Sequence, residues 1–374
     1  MTSAVFTAFL LITTLAPARS VAAPQSAAAP VSVPERLKRI EAELYAGGSH
    51  AKDDIRELTD ILAANPGIAE AHMLLAVAYR SVGNPEMVGE ARAELRQALD
   101  LKPDLLPARL FLAQVYLETS RPDRAREELE AALARAPNQP QFLILLGEAE
   151  RQLGNPAKAI EISRGLLQSD PKLAQAHYYL GLALLDLKQR DEGIRELELV
   201  IQSGVGDPNV FLNLGGAYLD AGRVDQALAT LEQGARNAPT VLDLRIQLAR
   251  AYRMKGSLQQ AEQQLAVVTK TGFSKQPTVA LQQLQTSYHL ELGLIRLQQN
   301  QFAQAASAFQ AALGMDPNSG PAHRYMAEVL MHQGLYSRAL EQAVQADKLG
   351  SPLPAAQRKE LETKLGIKKT GGLE

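Results

Sequence analysis

A period of 34 residues constrains this chain more than any other feature. Tyrosines stand at Tyr45, Tyr79, Tyr116, Tyr218 and Tyr252, and Glu150 and Leu184 fill the slots between, at spacings of 34, 37, 34, 34, 34 and 34. The series resumes at Arg296 after a gap of 44 and at Leu330 after another 34. Three residues before each slot stands a small residue: Ala42, Ala76, Ala113, Gly147, Gly181, Gly215, Ala249, Gly293 and Ala327. A second small residue follows most slots by nine, as at Ala125, Ala159, Gly193, Ala227, Ala261, Ala305 and Ala339. Pro66, Pro103, Pro137, Pro171, Pro239 and Pro317 close units. Self-similarity at this period signals an array in which one supersecondary unit is stacked on copies of itself.

The physics of one unit follows from its residues. Two helices of about 14 residues, each ~21 Å long, fit between successive prolines. The small residue before the slot lets two helix axes approach closely. Gly83, Gly154, Gly222, Gly256 and Gly334 fall where the first helix must stop, and glycine accepts the left-handed conformation of such a stop. Proline lacks the amide needed to continue a helix, so it ends the unit. One such hairpin cannot bury its apolar face alone, whereas a stack can.

Composition agrees and excludes alternatives. Hydrophobic residues make up 46% of the chain but aromatics only 5%, and β-strand alternation is missing. The net charge of −2, with both signs interspersed, gives no basic footprint for nucleic acid. The absence of cysteine removes thiol chemistry, disulfides and Cys-ligated metals.

The pattern resembles the tetratricopeptide repeat family, whose units read W-x2-L-G-x2-Y, then A-x3-F, A and P. Segments such as FLNLGGAYLDAGRVDQALATLEQGARNAP from Phe211 and HLELGLIRLQQNQFAQAASAFQAALGMDP from His289 carry the likeness. The resemblance implies an all-α fold, a right-handed α-α superhelical solenoid of about nine helix hairpins with N- and C-terminal caps. It also implies a protein-binding role.

The expected organisation is a signal peptide over residues 1–22, a Pro/Ala-rich linker over 23–34 and the solenoid over 35–350. An insertion falls near 269–286, a capping helix over 351–366 and a tail over 367–374. The leader rests on the apolar run Ala4–Ala16, too short to span a bilayer comfortably, followed by Ser20-Val21-Ala22, which suits small-x-small cleavage. It implies a periplasmic or secreted protein with no membrane span after cleavage; an uncleaved anchor or a cytoplasmic start is the alternative. The first unit, with Lys38 and Glu41 at normally apolar slots, reads as the N-terminal cap. Val279 onward reads as one long helix extending the eighth unit.

Motif searches point away from catalysis. His72, His177, His289 and His323 occupy the family's Trp slot one per repeat, which favours packing over convergence on a metal. No phosphate-cradling loop, H-E-x-x-H or nucleophile elbow is present. No catalytic residue, cofactor site or metal site is therefore assigned. The lysine–asparagine clamp by which some family members hold a carboxylate is absent, since the matching positions hold a single asparagine, Asn213.

Register instead suggests a concave binding groove on the first helices. The residues after the Trp and Tyr slots supply Ile144, Tyr178, Leu185, Leu212, Leu219, Ile246 and Leu290; Leu182 and Leu294 share that face, and Asp186 and Asp220 flank it. An apolar row with a polar rim fits a protein or peptide partner, with Tyr178 as the expected anchor; packing between neighbouring helices is the competing account of the same row. The expected function is a non-catalytic scaffold in cell-envelope assembly, secretion or polymer export. The alternatives are a cytoplasmic adaptor or the accessory subunit of an enzyme complex.

Overall fold

The computed structural model describes residues 31–46, 50–273 and 279–367. The leader, most of the linker, part of the 269–286 insertion and nearly all of the tail lie outside these residues. The described chain contains nineteen α-helices and no strand. They divide between two compact units, one ending at Ser203 and the other beginning at Gly204.

The first unit holds five helix pairs: α1 (Val33–Tyr45) with α2 (Ala51–Ala64), α3 (Ala69–Ser81) with α4 (Val88–Leu101), α5 (Leu106–Glu118) with α6 (Pro122–Leu133), α7 (Pro140–Gln152) with α8 (Pro156–Ser169), and α9 (Ala174–Asp186) with α10 (Arg190–Gln202). A 3-10 turn, Pro85–Met87, accommodates the extra residues of the second pair. The second unit holds four pairs: α11 (Pro208–Asp220) with α12 (Val224–Asn237), α13 (Leu242–Met254) with α14 (Leu258–Thr271), α15 (Val279–Gln298) with α16 (Phe302–Met315), and α17 (Gly320–His332) with α18 (Tyr336–Lys348). A last helix, α19 (Ala355–Lys364), packs on α18. The long helix expected from Val279 is α15, of 20 residues.

Local chemistry sets the boundaries. Ser32 caps α1: its backbone N–H and its hydroxyl both donate to Glu35, at 3.0 and 2.8 Å. Proline lies in the first turn of α1, α5, α6, α7, α8, α11 and α17, where its missing N–H has no intrahelical partner to lose. The turn inside each of seven hairpins is a repeated Schellman motif. Amides of Arg121, Asn155, Gln189, Arg223, Ser257, Gln301 and Leu335 donate to the carbonyls of Tyr116, Glu150, Leu184, Tyr218, Tyr252, Arg296 and Leu330, the 34-residue slot itself. The residue before each donor has positive φ. It is glycine at Gly154, Gly222, Gly256 and Gly334, as expected, but Ser120, Lys188 and Asn300 take the same conformation at φ 55°, 64° and 58°.

Within each unit, the second helix of one hairpin packs on the first helix of the next, as α4 on α5 or α16 on α17. Close approach explains the small slots. A Cβ on Gly215 would lie 2.5 Å from Leu231, and one on Gly293 would lie 2.5 Å from Phe309. The core runs along these interfaces. In the first unit it includes Ile40, Leu58, Leu95, Leu112 and Leu129, and in the second Leu231, Ile295 and Phe309, all fully buried.

Candidate protein-binding face

The first helices of the first unit place their apolar row inward. Ile144, Tyr178 and Leu182 are buried, and Tyr178 is only 1% exposed. The expectation of an exposed aromatic anchor at Tyr178 is thus corrected. First helices of consecutive hairpins touch directly, α5 on α7 and α7 on α9. Side chains at this register are therefore wedged between neighbours, and the Tyr178 ring meets Tyr179 edge-on at 5.1 Å. Only Leu185, half-buried, and Asp186, exposed, reach the surface from the residues assigned here.

A ladder of ion pairs occupies the rest of that face. Arg80 reaches Gln114 and Glu118 of the next hairpin, and Arg151 bridges Glu148 at 2.8 Å and Asp186 at 2.8 Å. Burial pulls the Arg151 guanidinium downward, but the hydrogen bonds and charges of Glu148 and Asp186 outweigh it and hold the group above its ordinary range. Glu148 is fully buried and also accepts from Gln152 Nε2 at 2.7 Å, so removing Arg151 would take one charge-balancing partner from a desolvated carboxylate and destabilise the fold. The acidic flank expected beside the row is likewise engaged, since Asp186 pairs with Arg151 and Asp220 lies 3.3 Å from Arg250.

In the second unit the row is more open. Leu219 and Ile246 are buried, which corrects their expected exposure for the same reason of direct first-helix contact between α11 and α13. Leu212, Leu290 and Leu294 are half-buried. Leu290 and Leu294 form one stripe with Leu297 on α15, at i, i+4 and i+7. Tyr325 and Met331 of α17 join that stripe in packing on the underlying core while keeping part of their surface exposed. Arg324 lies over the Tyr325 ring, 4.3 Å from its centre, and Arg253 pairs with Glu291 at 2.8 Å. The result is an apolar strip over α15 and α17 bordered by oriented charges.

The residues in the Trp slot act as clasps. Nε2–H of His72, His177 and His323 donates to the carbonyl of Pro66, Pro171 and Pro317, each at 3.0 Å. The opposite ring nitrogen lies 2.5 to 2.7 Å from Glu94, Glu196 and Gln342 of the second helix. Arg109 does the same with its guanidinium, reaching Pro103 and Glu128. The packing assignment of these histidines is thus given a mechanism that spacing alone did not reveal: they tie the end of one hairpin to both helices of the next. The signal was available in the recurrence of Pro six residues before the slot and Glu or Gln about 19 after it. Among the described residues no group of three or more His, Asp or Glu side chains is placed to hold a metal ion.

Stacked helix hairpins clasped in this way make a helical-repeat protein, which presents a surface to partners. Two family models, each described as Tetratricopeptide repeat, match residues 87–140, 110–174, 144–208 and 290–350 in one case and 218–286 in the other. Together they span more than half of the chain, which belongs to the tetratricopeptide repeat family. Members of this family serve as protein–protein interaction scaffolds. Among solved structures, the APC/C hetero-tetramer Cut9–Hcn1 matches with a TM-score of 0.65 at 15% identity, over 88% of this chain and 63% of that one. The chain thus spans under two thirds of that relative's length, and the likeness is one of fold. TTC0263, a thermophilic repeat protein of Thermus thermophilus, is 26% identical over 50% of this chain and 99% of its own, with a TM-score of 0.45. YrrB, described as having an unusual peptide-binding site, is 20% identical over 50% of this chain and 95% of its own, with a TM-score of 0.35. Comparison with curated protein sequences finds no match.

Proposed function

We propose that this chain is a non-catalytic scaffold that binds an apolar or amphipathic segment of a partner protein on the α15–α17 face. The observation that carries this reading is the half-buried stripe of Leu290, Leu294 and Leu297 on α15, with half-buried Tyr325 and Met331 of α17 on the same core and the fixed Arg253–Glu291 pair on α13 and α15. Apolar surface of this kind, rimmed by oriented polar groups, favours association with a complementary segment. Its setting is the cell envelope, in assembly, secretion or polymer export, and the support is the apolar run Ala4–Ala16 followed by Ser20-Val21-Ala22.

The binding face is tested by placing a photo-crosslinking residue at Leu294, at Tyr325 and, as a control, at the exposed Leu199. A discrete partner should be captured from the first two and not from the third. With that partner purified, Leu294→Asp should weaken binding by tenfold or more, about 1.4 kcal/mol, with the helical content unchanged. Equal capture from all three positions, or unchanged affinity, rejects the assignment. Export is tested separately by fractionation and N-terminal sequencing: a mature chain beginning near Ala23 supports it, and an intact Met1 in a soluble cytoplasmic pool favours the adaptor reading.

A further inference from the structure

The third and seventh hairpins, α5–α6 and α13–α14, stand 136 residues apart in one register, so each side chain has a counterpart. In the third, Arg109 fills its joint. Its Nε and Nη2 donate to the Pro103 carbonyl at 3.2 and 2.9 Å, and its Nη1 donates to Glu128 at 2.5 Å. Arg135 adds a bond to the same carbonyl at 2.6 Å. In the seventh the arginine persists as Arg245, but Glu128 is replaced by Gln264 and Arg135 by Thr271. Arg245 Nη1 donates to Gln264 Oε1 at 3.1 Å, and its Nε is buried without an acceptor. Among the described residues no carboxylate forms an ion pair with it.

A cavity of about 390 Å³ lies at this joint, lined by Glu232, Arg236, Pro239, Arg245, Tyr252 and Gln264 among others. Its single carboxylate is already engaged. Glu232 accepts from the Tyr252 hydroxyl at 2.6 Å and lies 3.9 Å from Arg236. That hydrogen bond, with burial, pushes the Tyr252 hydroxyl up to about 12, so it stays protonated at neutral pH. Two guanidinium groups against one carboxylate leave the cavity with an uncompensated positive charge. A guanidinium presents a planar fork of donors that matches a carboxylate.

We propose that the α12–α13–α14 pocket binds a carboxylate, with Arg245 as the principal donor and Arg236 and Gln264 beside it. The site is independent of the α15–α17 face, and its carboxylate comes either from an acidic side chain of a polypeptide or from a small free acid.

The test uses the full chain, labelled with 15N, and follows the Arg245 Nε–H resonance, identified by its absence in Arg245→Lys. The probes are the capped peptide Ac-Ala-Glu-Ala-NH2, its glutamine counterpart and acetate. The glutamate peptide or acetate should shift the resonance saturably, while the glutamine peptide should bind at least tenfold more weakly. Gln264→Glu rebuilds the ion pair that Arg109 makes and should lower carboxylate affinity at least tenfold with the melting temperature retained. Tighter binding of the glutamate peptide than of acetate assigns the site to a polypeptide side chain, and equal binding assigns it to a small acid. Shifts that do not saturate, equal shifts from the glutamine peptide, or unchanged affinity in Gln264→Glu overturn the proposal.

Discussion

Lys188 turns the first helix of its hairpin with φ 64°, in the slot where five other hairpins use glycine. A left-handed residue with a Cβ costs roughly 1–2 kcal/mol, and glycine's extra chain entropy costs only ~0.5–1 kcal/mol. Lys188→Gly is therefore expected to stabilise the protein by up to about 1 kcal/mol, read from the midpoint of urea unfolding. A loss of stability would show that the lysine side chain makes a compensating contact. His289 gives the complementary case. It occupies the clasp slot, yet its Nδ1 is buried without a partner, and burial pulls the imidazole below its ordinary range. Because the folded state resists the proton, the unfolded chain binds it first as pH falls. Stability should then drop on acidification through ~6.5, the unperturbed histidine value, and continue to fall until the folded chain also takes up the proton. His289→Phe restores the aromatic that Phe211 supplies at the same slot. Unfolding measured at pH 7.5 and 5.5 should show the wild type losing more stability than the variant, and an equal loss would reject this account. Glycine at the turns was legible in the sequence because only the backbone decides it. Lys188 was not, since nothing in its own chemistry marks a residue held at positive φ by the Schellman bonds around it.

At the scale of a hairpin, the same slot residue does different work in the interior of the array and at its start. Tyr218 is buried in α11, whereas Tyr45, at the end of α1, is 36% exposed, its ring stacked 6.4 Å from Phe111. Tyr218→Ala should cost ~3–5 kcal/mol in chemical denaturation, and Tyr45→Ala clearly less. Equal losses would contradict the reading of α1–α2 as a terminal cap. The C-terminal cap is anchored by the buried Leu353 and Leu361 and by the pairing of Arg358 with Asp347. Helices and turns of this kind were legible because the 34-residue period repeats their punctuation. The groove was less so. Register assigned Tyr178, Leu219 and Ile246 to a concave groove, but they are buried on the side of the first helix that faces its neighbours. It carried no information on how closely consecutive first helices approach, and that distance decides whether a side chain lines a surface or fills a joint. Leu290 and Leu294 keep part of their surface, while Tyr178, on the same register, does not.

On the scale of the whole molecule, the period sets the architecture, and departures from it mark the places with individual properties. Arg245 and Gln264 are visible in the sequence, but their meaning required the Arg109–Glu128 joint for comparison, since an arginine beside a glutamine is ordinary until a cavity lies next to it. Stability in a stack of hairpins is expected to be a sum of unit and nearest-neighbour terms, so damage should stay local. Phe309 is fully buried in α16 and belongs to the core that α15, α17 and α18 share. Phe309→Ala removes a large ring from that core, a loss of ~3–5 kcal/mol. Hydrogen exchange followed by mass spectrometry should then show faster exchange across α15 to α18. The helices α5 to α8, whose core is built from Leu112, Leu129 and Leu145, should keep the exchange rates of the wild type. Native-state exchange resolves such sub-global opening because each cooperative segment reports its own free energy. A uniform rise in exchange across both groups of helices would mean that the chain unfolds as one cooperative body, and the nearest-neighbour description would fail.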